Sequence, residues 1–387
     1  MKKKVVLSIF IILISFLQNS CGSKRISKKI IVASSGKIES LDPARANTLK
    51  AIQLISSLGD TLYELNSDGE LIPELASGMP IISKDRLQIT INLRKNVFFH
   101  DGTSFNSNAI KFTFDRFKRI GTMNYILGNK IKSIETPSEY SVIINLNKPS
   151  SSLNGLLTSV NLTPISPTFY KQYSDKFLNE KFVGTGKYVL TSFSNEVQSI
   201  DPYLNYWGEK PLNKGVNFVG YSNSSSLFGA LKSKQIDVLL SNSIDDSQRK
   251  SLNNLSKNKQ FNEGNSPFTE LSFISLKTSS YPLSNLNLRL ALAKSLNRKL
   301  ISEKVSYGLR KPSRSIIPPI LKKDNQELWP KYDYLEARRL LQKENYCNGN
   351  ILKIPLTYRS NVPADKLIAL TWQEEIKNSL KDCIDIE

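Results

Sequence analysis

Between Leu87 and Arg94 apolar and polar side chains alternate strictly, with Leu87, Ile89, Ile91 and Leu93 separated by Gln88, Thr90 and Asn92. A period of two predicts a half-buried strand. A second apolar run, Val97–Phe99, meets the turn signal Asp101-Gly102. Ser104–Ser107 then offer N-cap oxygens to a helix on which Ile110, Phe114 and Phe117 recur at helical spacing. The stretch Asp85–Arg116 is thus strand, turn and amphipathic helix with almost no spacer. It carries no nucleophile–base signature.

The same reading extends along the chain. Ile30–Ala33 is a continuous apolar run, a buried strand that leaves through the polar Ser34-Ser35-Gly36. Leu49, Ile52, Leu54, Ile55 and Leu58 predict a helix, Tyr63–Leu65 a short strand, and Leu71–Met79 irregular structure. Tyr140–Leu146 reads as strand, Ser150–Thr163 as partly helical, and Tyr188–Ile200 as a meander. Val216–Tyr221, Ser224–Ser233 and Ile236–Leu240 form a strand–helix–strand unit, which implies a parallel sheet and a right-handed crossover. The polar span Ser241–Ser266 begins as helix and ends as linker, placing a boundary near Pro267. Beyond it the pattern predicts one helix over Arg289–Val305 and a helix capped by Asp333 with Glu336. A strand over Ile351–Tyr358 and a long helix over Pro363–Leu380 follow. The alternation of strands and helices defines an α/β fold.

Composition changes this picture at the N-terminus. The chain of 387 residues has a formal charge of +19. Lys2, Lys3 and Lys4 supply three of those charges, and residues 1–20 hold no acid, leaving +16 on the rest. The lysines are scattered among Asn and Ser without a basic stripe interleaved with aromatics, which argues against nucleic acid as partner. Lys2–Lys4 followed by Val5–Leu17 reads as a signal peptide, residues 1–20, too short for a comfortable membrane span. Cys21 behind Ser20 resembles a bacterial lipobox, with Gln18 where an aliphatic residue is usual, so Cys21 is expected to carry a lipid and residues 21–28 to form a tether.

Candidate chemistry is sparse. Gly184-Thr185-Gly186-Lys187 hints at a phosphate loop, but Tyr188-Val189-Leu190 continues as strand where a P-loop requires a helix. His100 is the single histidine, so no Cys/His cluster exists and no metal site is expected. Read alone it suits a metal ligand or general base; beside Asp101-Gly102 the expectation is that it orders that turn. Asp201 and Asp237 are the carboxylate pair a hydrolase reading would use, and nothing in their spacing supports it. Cys347 and Cys383 each precede a predicted strand and follow a predicted helix. In an exported α/β lobe such loops share a sheet edge, so they form either a disulfide or two unpaired thiols.

Four stretches together resemble the family 5 extracellular solute-binding proteins, the peptide- and nickel-type receptors of ABC importers. They are Leu41–Ala44 (LDPA), Phe98–Phe117, Val183–Tyr188 (VGTGKY) with Asp201–Pro211, and Leu286–Ile301. Lys187 stands where the family usually has proline, Asn108 where it has an acid and Asn297 where it has Asp. The resemblance implies a two-lobe α/β clamp of the periplasmic-binding-protein kind. Lobe I would be 29–47 and 172–266 with an inserted subdomain at 48–171. Lobe II, 267–387, would be incomplete because family members continue further. It implies a monomeric lipoprotein, without catalysis or cofactor, that captures peptide-like solutes in an interlobe cleft and delivers them to the permease's transmembrane subunits. Nickel complexes or oligosaccharides are alternative ligands, and a binding-defective or adaptor-like fragment is an alternative role. By position in the family, Ser34, Ser35, Gly36 and Lys37 would approach ligand backbone, Tyr125 would cover a ligand side chain, and Thr185 and Gly186 would lie near the cleft floor and shape the hinge.

Overall fold

The computed structural model describes residues 29–127, 130–240, 243–264, 271–313, 315–317, 328–359 and 362–387. The expected signal peptide, Cys21, the tether and the boundary at Pro267 lie outside the described residues. The chain divides into two compact units. One holds the residues up to Glu64 with Pro73–Tyr221 and Ser233–Leu239; the other holds Leu65–Ile72, Ser222–Lys232 and Leu240–Glu387.

The first unit is built on a five-stranded sheet in which β1 (Ile30–Ser35) lies between β10 (Val216–Tyr221) and β11 (Val238–Leu239), parallel to both. The meander β8 (Tyr188–Phe193) and β9 (Val197–Pro202) extends it antiparallel from β10. The expected strand–helix–strand unit is therefore present in sequence, with α3 (Ser224–Lys232) between its strands, but β1 separates those strands in space. Helix α1 (Leu49–Leu58) buries Ala51, Leu54, Ile55 and Leu58 into a core shared with Leu41, Ile165, Tyr170, Phe182, Ile200 and Val216. Its Thr48 caps the helix by accepting from the Ala51 amide.

The Asp85–Arg116 stretch forms as patterned. In β5 (Gln88–Asn92) Ile89 and Ile91 are buried between exposed Gln88 and Asn92. Strand order β4 (Ile81–Ile82), β5, β7 (Ser141–Leu146), β6 (Ile131–Ser138) makes an antiparallel sheet on which α2 (Ser107–Ile120) packs Ile110, Phe114 and Phe117. Within the expected Ser104–Ser107 cap, Asn106 caps α2 by accepting from the Asn108 amide. Leu71–Met79 is less irregular than expected, since β3 (Leu71–Pro73) pairs with β2 (Tyr63–Leu65). The LDPA and Phe98–Phe117 stretches meet inside this unit: Arg116 donates from both terminal nitrogens to the two oxygens of Asp42 at 2.6 Å, with both side chains buried. Tyr170 lies under the guanidinium and Asp175 accepts from its Nε.

In the second unit α4 (Asp246–Lys257) opens on a capping box of Asp245 and Gln248. The helix expected over Arg289–Val305 is two, α5 (Leu286–Ser295) and α6 (Arg298–Ser306). Leu296 is extended, and the Asn297 side chain accepts from the Leu300 amide to begin α6. A good cap inside an apolar repeat ends one helix and starts the next. Helix α7 (Tyr334–Lys343) keeps half of its expected box: Asp333 accepts from the Glu336 amide, while Glu336 pairs with Arg339. Strand β12 is shorter than predicted, Leu352–Ile354, and runs parallel to β13 (Ile384–Ile386) against α8 (Pro363–Ser379). Leu288, Leu292, Leu341, Trp372, Ile376 and Ile384 form its core. Cys347 and Cys383, each just ahead of one of these strands, are joined by a disulfide.

Candidate functional site

The exit of β1 is shaped by backbone approach. Ser34 and Ser35 stand opposite Gly220 and Tyr221 of β10, and the Gly36 amide donates to the Tyr221 carbonyl at 2.7 Å. Gly36 takes φ +79°, in the left-handed region, which lets the chain leave the sheet abruptly. A Cβ on Gly220 would lie 2.5 Å from the Gly36 carbonyl oxygen, so both strands need glycine there. Lys37 is exposed, and Ile38 returns to the core.

Thr185 and Gly186 belong to a different place. Thr185 is fully buried and its hydroxyl donates to Asp60 Oδ2 at 2.9 Å. The Gly186 amide donates to the Leu58 carbonyl, and a Cβ there would meet the Leu58 and Gly59 backbone at 2.4–2.5 Å. These two residues join the loop after Phe182 to the end of α1. His100 completes the junction: its amide donates to the Gly184 carbonyl and its Nε2 donates to the Gly186 carbonyl at 2.9 Å. The imidazole therefore orders the glycine loop. The Asp101-Gly102 turn it was expected to order is held instead by Asp101, which accepts from the Thr103 amide and hydroxyl. Tyr203 packs edge-on against the His100 ring and donates to the Phe99 carbonyl. Burial lowers the imidazole's proton affinity.

At the centre of this junction stands Asp60. It accepts from Thr185, from Tyr206 (3.1 Å) and from Trp207 Nε1 (2.8 Å). Next to it Glu74 accepts from the amide and hydroxyl of Thr61. Arg94 spans the two, donating from Nε to the Glu74 carbonyl while its guanidinium lies 4.6 Å from the Trp207 ring centre. Burial, then the charges of Asp60 and Glu64, push the Glu74 carboxyl up to about 8. Burial raises Asp60 as well, against its three donors and Lys187. Neighbouring buried carboxyls disfavour each other's ionisation, and the three donors to Asp60 favour its charged form. Glu74 therefore holds its proton to higher pH than a free carboxyl. Sequence reading passed over Asp60, Glu74 and Arg94; the available signal was an acid set inside the apolar run Leu58–Tyr63.

Tyr125 is 74% exposed on a short 3-10 turn. Among the described residues no hydrogen bond links it, the β1 exit and the Asp60 junction to one another. Asp201 pairs with Lys29, and Asp237 accepts from the Ile31 amide, with β1 and β10 between their strands. They do not form a catalytic pair. Among the described residues no cluster of His, Cys, Asp or Glu suits a metal ion.

Fold and site together define a mixed α/β protein of the periplasmic-binding kind, its motifs spent on holding loops together. The family model of bacterial extracellular solute-binding proteins, family 5, matches residues 70–382, and the chain belongs to that family. It is 26% identical over 360 residues to the glutathione-binding protein GsiB of Escherichia coli O6:K15:H31, covering 92% of this chain and 69% of that protein. Among solved structures it is similar to the Helicobacter pylori periplasmic binding protein DppA in complex with the peptide STSA, at 23% identity. The TM-score is 0.76, over 93% of this chain and 73% of that one. The Escherichia coli murein tripeptide binding protein MppA matches at 22% identity and TM-score 0.78, over 94% and 74%. These structures share its fold.

Proposed function

We propose that this protein is the receptor of an ABC importer for peptide-like solutes, working outside the cytoplasm and delivering its ligand to the permease. The match to the family model over residues 70–382 carries this reading. Three of its relatives are named for or bound to peptide-like ligands, glutathione, a peptide and a murein tripeptide. Ser34, Ser35, Gly36 and Lys37 are the residues proposed to meet the solute, with Tyr125 beside it. Thr185 and Gly186 serve as support. A ligand that binds only the folded protein stabilises it, so a mixed tripeptide library should raise the melting temperature measured by dye fluorescence. No shift with peptides, together with a shift from nickel–histidine or oligosaccharides, would replace the ligand class. The nickel alternative has a specific basis, since NikZ of Campylobacter jejuni in complex with Ni(L-His) matches at TM-score 0.74.

Cys21 is proposed to be the lipid attachment that holds the receptor at a membrane. Cys21→Ala should then appear in the soluble exported fraction on cell fractionation. Unchanged retention in membranes would rule the lipid out.

A further inference from the structure

Lys50 is placed where folding alone gives it no reason to be. It lies in the first turn of α1, where the helix dipole disfavours a cation. Its side chain is half-buried, and burial lowers its proton affinity. Among the described residues no carboxylate pairs with it and no oxygen accepts from it. Its ammonium sits at the exit of β1, 2.9 Å from the point where a Cβ on Gly36 would stand. The missing side chain of Gly36 is what makes room for it. Lys37, exposed beside the same turn, adds a second positive charge that no acid neutralises among the described residues. The hydroxyls of Ser34 and Ser35, half-buried at the same exit, make no hydrogen bond among the described residues.

A partly desolvated ammonium without a partner costs stability, and such groups are ordinarily paired. Here the surroundings supply no anionic group: an ammonium, a second ammonium and two hydroxyls lie around a turn opened by glycine. What that set lacks is an acceptor carrying negative charge. We propose that the solute of this receptor bears a carboxylate and that Lys50 receives it at the exit of β1, with the Ser34 and Ser35 hydroxyls as further donors. The inference rests on the solute-receptor reading above and narrows it to anionic ligands. It assigns Lys50, which neither the sequence pattern nor the family motifs singled out.

The test compares a randomised tripeptide library having free carboxylates with the same library after methyl esterification, each added to wild type, Lys50→Met and Lys50→Arg. Binding is followed by thermal shift and by protection of Lys50 from acetylation in peptide mass maps. A charge-assisted hydrogen bond of ordinary strength predicts that Lys50→Met needs about tenfold more library for the same shift. Lys50→Arg should keep most of the response, and the esterified library should lose it. Lys50 should be protected by the free-acid library alone. Without any library, Lys50→Met should melt no lower than wild type, because it removes an unpaired charge; a clear fall would mark Lys50 as structural and overturn the proposal. Equal shifts from both libraries without protection of Lys50 would also overturn it while leaving the peptide reading intact. Failure of both libraries to shift wild type would overturn the two together.

Discussion

Burial and the nearby charge of Asp60 make Glu74 hold its proton to higher pH than a free carboxyl, which sets the direction of a pH effect. In the unfolded chain Glu74 releases its proton near its ordinary value of 4.5, whereas in the folded protein it holds it up to about 8. Between those values the unfolded state binds fewer protons than the native one, so stability falls as pH rises and levels off above about 8. Glu74→Gln should flatten that decline, as measured by urea midpoints at pH 5, 6, 7 and 8. An unchanged slope would place its origin elsewhere. At this scale the sequence was a partial guide. Ser34 and Gly36 were visible because a strand must end somewhere, and glycine marks sharp exits. The pairing of Asp42 with Arg116 was not visible, because no periodicity relates residues 74 positions apart. His100 was misjudged for a similar reason: its nearest chain neighbours suggested the turn, and its partner Gly186 is 86 residues away.

Elements were more legible than residues. The Asp85–Arg116 stretch and α1 follow from apolar spacing alone, because each buries one face, whereas α8 leaves Leu367 and Leu370 of its apolar spacing exposed. Failures arose where a local group overruled the spacing, as when Asn297 divided one expected helix into α5 and α6. The glycine loop is the reverse case, a motif whose composition suggested phosphate but whose geometry serves packing. A Cβ at Gly186 would lie 2.4 Å from the Leu58 carbonyl carbon, and backbone cannot yield as a side-chain tip can. Gly186→Ala should therefore cost on the order of 1–3 kcal/mol in chemical denaturation. Gly78→Ala, where no atom lies within 4 Å, is the control and should change stability little. Equal effects at the two positions would mean that the Leu58–Gly186 contact does not constrain the fold.

At the scale of the molecule, the units carry separate cores and different reinforcement. Only the second holds a disulfide among the described residues, closing a separation of 36 residues around α8. Reducing it, or replacing Cys347 by Ser, should lower that unit's stability by about 2–5 kcal/mol. In scanning calorimetry one transition should move down while that of the five-stranded sheet stays; a uniform shift of both would show the units melting together. The strand order of that sheet also bears on when the chain can fold. β1 is made early, yet its partner β10 lies some 190 residues downstream, and ribosomes add roughly 5–20 residues per second. β1 therefore waits about 10–40 s for its first neighbour. Through that interval an inner strand of the sheet has nothing to close against, and the nascent chain stays threadable for longer than one built from consecutive hairpins.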